Sequence, residues 1–218
     1  MANAEHLELL KQGVDTWNDW PANHLLIAPN LVGADLSNLE LVNINLQFAN
    51  LTYARLVGAD LRQATLYQSC LQGANLQMAD LIHANLQGAN LQQAQLVGAD
   101  LYKANLAQAN CYQANLSKAI VRRAILVEAN LKAADTLRTD FFQANMMRVS
   151  LYMANGGGAN LEGANLIDSN LGWANLLEAN LCKANLCRAN LFQANLCRAT
   201  SHAACWKGTT MPDGTVHV

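Results

Sequence analysis

Few residues in this chain have the type and spacing needed for covalent or metal chemistry. The five histidines, at positions 6, 24, 83, 202 and 217, share no interval that would aim two imidazoles at one ion or one nucleophile. The six cysteines, Cys70, Cys111, Cys182, Cys187, Cys197 and Cys205, contain no CxxC pair, so incidental thiols are expected and not a disulfide framework. No glycine-rich loop follows a strand and opens a helix, as a phosphate cradle would require. No catalytic, cofactor-binding or metal-binding residue is therefore expected, and the chain reads as non-enzymatic. What remains is surface recognition. Tyr112, Lys132, Tyr152, Met153, Trp173 and Phe192 offer apolar area and a cation of the kind enriched where proteins dock. Asp60, Asp80 and Asp100 offer an alternative, anionic stripe.

Whether these residues share a face depends on the elements that carry them. The stretch from Leu71 to Leu101 places leucine at every fifth position, with alanine two places before each leucine from Leu76 onward. On an α-helix, steps of five would spiral the leucines round every face. On a flat strand, an odd step would alternate them between faces. A chain that turns a corner every five residues and closes a square coil puts them all inside, with alanine pointing inward beside them. Taking leucine as the centre of each quintet, the register runs unbroken from Leu31 to Leu196. Leucine fills 28 of those 34 centres and alanine 27 of the 34 positions two before them, so the pattern is structural.

Asn or Asp usually stands between alanine and leucine, as in Ala74-Asn75-Leu76 and Ala79-Asp80-Leu81. With these residues the chain resembles the pentapeptide-repeat family and its A(D/N)LXX consensus. The resemblance implies an all-β solenoid, a right-handed quadrilateral β-helix with four quintets per coil, here about 8.5 coils. Residues twenty apart then stack. One outward column carries Tyr112, Lys132, Tyr152 and Phe192, with Met153 and Trp173 beside it. Lys132 is expected between two tyrosines within cation–π reach. A different side carries Glu40, Asp60, Asp80 and Asp100, with Arg62, Lys103, Arg122 and Arg123 placed to pair them.

A solenoid exposes its terminal coils unless caps cover them. Leu7, Leu10, Val14 and Trp17 are spaced as one apolar helix face, with Asn3 as N-cap and Pro21 as an end. Residues 1–28 are therefore read as a short N-terminal helical cap, 29–198 as the repeat body, and 199–218 as a C-terminal cap and tail. Residues 22–35 lead the chain from the cap into the first coil. In the tail, Trp206 is expected over the last coil, Pro212-Asp213-Gly214 as a tight turn, and Thr215 to Val218 as an edge strand or a loose end. Between Thr136 and Gly156 the centres lose their leucines, which predicts either compensating packing by Phe141 and Met146 or a bulge at Gly156-Gly157-Gly158.

Net charge is −2 and 14% of residues are charged, which favours neither nucleic acid nor an anionic membrane. No apolar run approaches the length of a membrane span, and the N-terminus lacks a secretory pattern, so a cytoplasmic setting is expected. The resulting reading is a scaffold or protein-interaction module, regulatory in a cyanobacterium as the resemblance implies, acting on a protein partner that the sequence does not name. The resemblance also offers a DNA-mimicking, gyrase-binding role of the quinolone-resistance type. Against it stand the small net charge and the absence of any break in register long enough for a projecting loop.

Overall fold

One quintet explains the architecture. Leu76 N–H donates to Gln95 O at 2.7 Å, and Met78 N–H to Val97 O at 3.0 Å, both on the following coil. Asp80 N–H donates back to Ala59 O at 3.0 Å, and Ala79 N–H closes a turn on Leu76 O at 3.1 Å. The fifth donor, Gln77 N–H, is taken by the Asn75 side-chain Oδ1 at 3.1 Å. All five amides are thus satisfied, as a backbone folded away from water requires. The Asn or Asp before the centre is in the consensus because its side chain accepts the one amide that the ladder leaves over.

In the computed structural model, which describes residues 1–23 and 27–218, this unit repeats with parallel bridges between residues twenty apart, from Asn30↔Asn50 to Asn190↔Thr210. Bridges recur every five residues, so each twenty-residue coil has four bridged sides. The corner between them is a β-turn whose third residue has φ near +60°, as at Gln93 (+58°) and Ala133 (+55°). Type II turns require this left-handed conformation at that position. The centres and the alanines two before them point inward and form one continuous core. Polar substitutes in the alanine column are paired: Ser69 Oγ donates to Leu66 O at 2.8 Å and Thr139 Oγ1 to Leu116 O at 2.7 Å.

The leucine-poor corner is filled by packing. The bridges Asp135↔Asn155 and Asn155↔Asn175 pass through it without offset, so there is no bulge. Phe141, Leu151, Leu161 and Leu176 close round Thr136 and Gly156, leaving a cavity of about 10 Å³. That volume is too small and too apolar to hold a water. Of the two residues expected to fill the corner, only Phe141 lines this cavity.

The ends differ from expectation in three respects. The N-terminal cap is two helices, α1 (Ala4–Lys11) and α2 (Val14–Asn23), and not one. Gly13 separates them at φ +108°, a value an α-helix cannot contain. α2 runs past Pro21, where an end was expected. Asn3 is the N-cap of α1, accepting from Glu5 N–H at 2.8 Å. His24 and part of the passage from cap to coil lie outside the described residues.

At the other end, the coil geometry does not stop near residue 198. Bridges Asn180↔Thr200, Asn185↔Cys205 and Asn190↔Thr210 carry it twelve residues further. The backbone ladder continues there because Ala199, Ala204 and Trp206 still supply small and apolar side chains to the inward columns. Trp206 is half-buried at a centre position and packs against the core. The Pro212-Asp213-Gly214 turn closes with Gly214 N–H on Met211 O at 2.9 Å. The tail then turns back, and Val216 bridges Thr210 in antiparallel fashion.

Candidate protein-binding face

The outward side chains occupy the two turn positions after each centre and, mostly half-buried, the position just before it. Every coil presents them at nearly the same angle, so residues twenty apart form columns on a rigid lattice. On one side Tyr112 is half-buried, Lys132 is exposed and Tyr152 is half-buried. Beside them Met153 is 57% exposed, Trp173 54% and Phe192 41%, values far outside those of the core. Lys132 Nζ lies 5.5 Å from the centre of the Tyr152 ring. Among the described residues this is its one aromatic partner, so the expected placement between two tyrosines is corrected. The ammonium leans toward the following coil, as does the side chain of Tyr152 itself. Trp173 and Phe192 meet edge to face at 6.5 Å and 80°.

Glycines make room for these side chains. A Cβ on Gly172 would stand 3.4 Å from Tyr152 Cδ2, and one on Gly73 only 2.5 Å from the Tyr53 ring. Tyr53 and Tyr152 therefore each lie over a glycine of the next coil. Phe192 is flanked in the same way by Gly214 of the C-terminal turn. The face is thus held by packing against backbone and by ring contacts, with little freedom left to lose on binding a partner.

The acidic side is organised differently. Asp60 receives two bonds from Arg62, Nε to Oδ1 at 2.8 Å and Nη2 to Oδ2 at 2.6 Å, and the same guanidinium stands 3.7 Å from Asp80. The Arg62 hydrogen bonds hold the Asp60 carboxyl below the usual carboxylate range. Oδ1 of each of Asp60, Asp80 and Asp100 also accepts the amide two residues on. Arg122 pairs with Asp140 at 3.3 Å. Two of the four expected basic partners are engaged elsewhere: Lys103 lies 5.2 Å from the Tyr102 ring, and Arg123 bonds Gln143. These carboxylates therefore serve turn closure and local ion pairs.

Two arrangements escaped the periodicity. His6, on α1, is buried and accepts the Asn30 N–H at Nδ1, 2.9 Å away. The signal was its place on the buried face of an amphipathic helix. Cys205 bridges Asn185, two residues before Cys187, so the two cysteines are neighbours on adjacent coils, which the eighteen-residue interval between them would have shown. Cys111 stands at a fully buried centre, where burial pushes its thiol up to about 12. Among the described residues, no group of three or more His, Cys, Asp or Glu could hold a metal ion. No helix among them is long and apolar enough to cross a membrane.

Comparison with known proteins fits this geometry. HetL, a pentapeptide-repeat protein involved in heterocyst differentiation regulation in the cyanobacterium Nostoc sp. strain PCC 7120, is 30% identical over the whole of both chains, with a TM-score of 0.56. Rfr23 from the cyanobacterium Cyanothece 51142 is 38% identical over 55% of this chain and 64% of its own, with a TM-score of 0.23. QnrB1, a plasmid-mediated fluoroquinolone resistance protein, is 16% identical over 82% and 91%, with a TM-score of 0.44. No curated protein matches. The family described as pentapeptide repeats matches in overlapping copies over residues 30–68, 69–101, 84–123, 94–132, 124–163, 144–181 and 164–200. With that match, and with HetL similar from end to end, the chain belongs to the pentapeptide-repeat family, whose fold is a right-handed β-helix.

Proposed function

We propose that this protein is a non-enzymatic scaffold of the cyanobacterial type, a quadrilateral β-helix acting in the cytoplasm, that binds a regulatory protein partner. The site is the lateral face carrying Tyr112, Lys132, Tyr152, Met153, Trp173 and Phe192. One observation carries the reading: Met153, Trp173 and Phe192 are each at least 41% exposed while locked on a rigid lattice. Exposed aromatic and methionine side chains beside a cation have the composition of a docking centre. The end-to-end similarity to HetL supports a regulatory setting. Neither nucleic acid nor membrane is the partner in this reading, since the net charge is −2 and the apolar side chains of the N-terminal helices pack into the core.

The test uses the full chain as bait in a cyanobacterial lysate, followed by binding measurements with the purified partner. A Tyr152→Ala, Trp173→Ala variant is expected to keep its circular dichroism and lose binding. Binding that survives this change and vanishes in an Asp60→Asn, Asp80→Asn, Asp100→Asn variant would move the site to the acidic side.

A further inference from the structure

The feature left unexplained by packing and by the proposed face is a pair of thiols near the C-terminal end. Cys205 bridges Asn185 on the preceding coil, donating its N–H to Ala184 O at 2.9 Å and accepting Leu186 N–H at 2.9 Å. Cys187 is the first turn residue after that bridge, and its own N–H is held by Asn185 Oδ1 at 3.2 Å. Side chains with this eighteen-residue offset meet at three other places along the solenoid, Thr52–Cys70, Gln87–Asn105 and Glu162–Asn180. Thr52 Oγ1 and Cys70 Sγ, the same two positions earlier in the chain, are 3.2 Å apart. Asn180 Nδ2 reaches Glu162 Oε2 in the same way at 3.3 Å. Both cysteines are free, Cys205 exposed and Cys187 half-buried.

We propose that Cys187 and Cys205 form a peroxide-responsive modification site, oxidised to a disulfide that staples the last two coils together.

The two thiols are not equivalent. The eighteen-residue offset sets the two thiols beside one another, and the neighbouring thiol holds Cys205 below the ordinary thiol range and Cys187 above it. The Lys207 backbone amide and charge also favour the Cys205 thiolate. Cys205 is therefore the attacking sulfur and Cys187 the resolving one. The oxidant is a hydroperoxide, here hydrogen peroxide. The Cys205 thiolate attacks one peroxide oxygen; an S–O bond forms, the O–O bond breaks, and the departing hydroxide takes the proton released when Cys205 ionised. Cys187 then attacks the sulfenyl sulfur; the S–S bond forms, the S–O bond breaks, and the leaving hydroxide takes the Cys187 proton. Two thiols and one peroxide give one disulfide and two waters.

The staple would act where the fold is weakest. Beyond Cys205 the C-terminal coil has no further coil to bond, and an open hollow of about 340 Å³ lies there between Leu196, Trp206, Met211 and His217. Closing a loop across the last two coils removes freedom from the frayed and unfolded chain.

Trypsin cuts after Arg188 and Arg198, so the two cysteines fall on separate peptides, residues 184–188 and 199–207, while Cys197 falls on 189–198. The full-length protein, treated with equimolar hydrogen peroxide and then alkylated, is expected to yield the linked 184–188/199–207 species. Free-thiol labelling should be lost at Cys187 and Cys205 together, and the melting temperature should rise relative to the dithiothreitol-reduced protein. In Cys187→Ser, a dimedone adduct should accumulate on Cys205 and not on the exposed Cys197. Absence of the linked peptide would overturn the pairing. A dimedone adduct equally strong on Cys197 would overturn the selectivity, and an unchanged melting temperature would overturn the staple.

Discussion

At the scale of the residue, each quintet position has one physical task, and neighbouring positions can ask opposite things of the same side chain. Ala133 occupies the left-handed turn position, with φ at +55°, whereas Ala134 points inward and is 1% exposed. A Cβ in the left-handed region costs roughly 1–2 kcal/mol, against which glycine pays about 0.5–1 in lost chain entropy. Ala133→Gly should therefore stabilise the protein by up to about 1 kcal/mol, while Ala134→Gly, which loses a buried methyl, should cost about 1–2. Denaturant titration of the two variants checks the sign, and equal destabilisation would contradict the turn assignment. The Asp60–Arg62 pair makes a second test. Because the Asp60 carboxyl is held below its ordinary value of 3.8 by the Arg62 hydrogen bonds, its contribution is present above that pH and is lost as pH falls through the folded value. Asp60→Asn keeps the turn acceptor and removes the charge. Its melting temperature should fall below that of the parent at pH 7, and the gap should narrow as pH falls below 3.8 and through the folded value. A gap that persists in acid would assign the loss to something other than the ion pair.

At the scale of the element, the N-terminal cap works as a replacement coil. The first coil would otherwise leave Asn30 and Asn45 with outward amides and carbonyls, an open edge of the kind that invites aggregation. Four of these groups are taken by the cap. Asn30 N–H bonds His6 and Asn30 O accepts Asn3 N–H at 3.0 Å. Asn45 N–H bonds Asn18 Oδ1 at 2.7 Å, and Asn45 O accepts Trp17 Nε1–H at 2.7 Å. The cap thus matches both the apolar shaft and the polar ladder it covers. Trp17→Phe retains the buried ring and deletes one donor, leaving Asn45 O without that partner. We expect a loss of about 1–3 kcal/mol, read as a lower denaturant midpoint with an unchanged m-value. An unaltered midpoint would mean that water replaces the indole at that edge. The C-terminal end is closed more simply. His217 takes Gly208 N–H on its carbonyl at 2.7 Å and returns its own N–H to Thr209 O at 2.9 Å, which covers one side only.

At the scale of the whole molecule, the surface potential separates two functional classes. Mimicry of duplex DNA needs closely spaced negative charge along the rod, to imitate the phosphate backbone. Here Asp60 and Asp80 share Arg62, Ile120 interrupts the column, and Asp140 is paired with Arg122. The protein should therefore leave gyrase supercoiling uninhibited at micromolar concentration. Clear inhibition in a supercoiling assay would overturn the proposed role of the aromatic face in favour of DNA mimicry. The aromatic side presents the contrasting surface, apolar and fixed in shape.

The sequence by itself determined the shaft, the turn positions and the composition of the outward columns, because a covalent period of five maps directly onto a lattice of twenty. Leu76, Ala79 and Gln77 could be placed inward, inward and outward from their spacing alone. Asn3 could be placed as a cap for a similar reason, since both its signal and its hydrogen bond to Glu5 are local. Period says nothing about contacts between non-equivalent positions, and these the tertiary structure decided. It bent the cap at Gly13, seated His6 and Trp17 on an edge more than twenty residues away, and gave Arg62 to two carboxylates at once. It also carried the coil past Leu196 although the consensus had ended there. The ladder is made by backbone amides, which bond whatever side chain they carry so long as the inward position is small or apolar enough to pack.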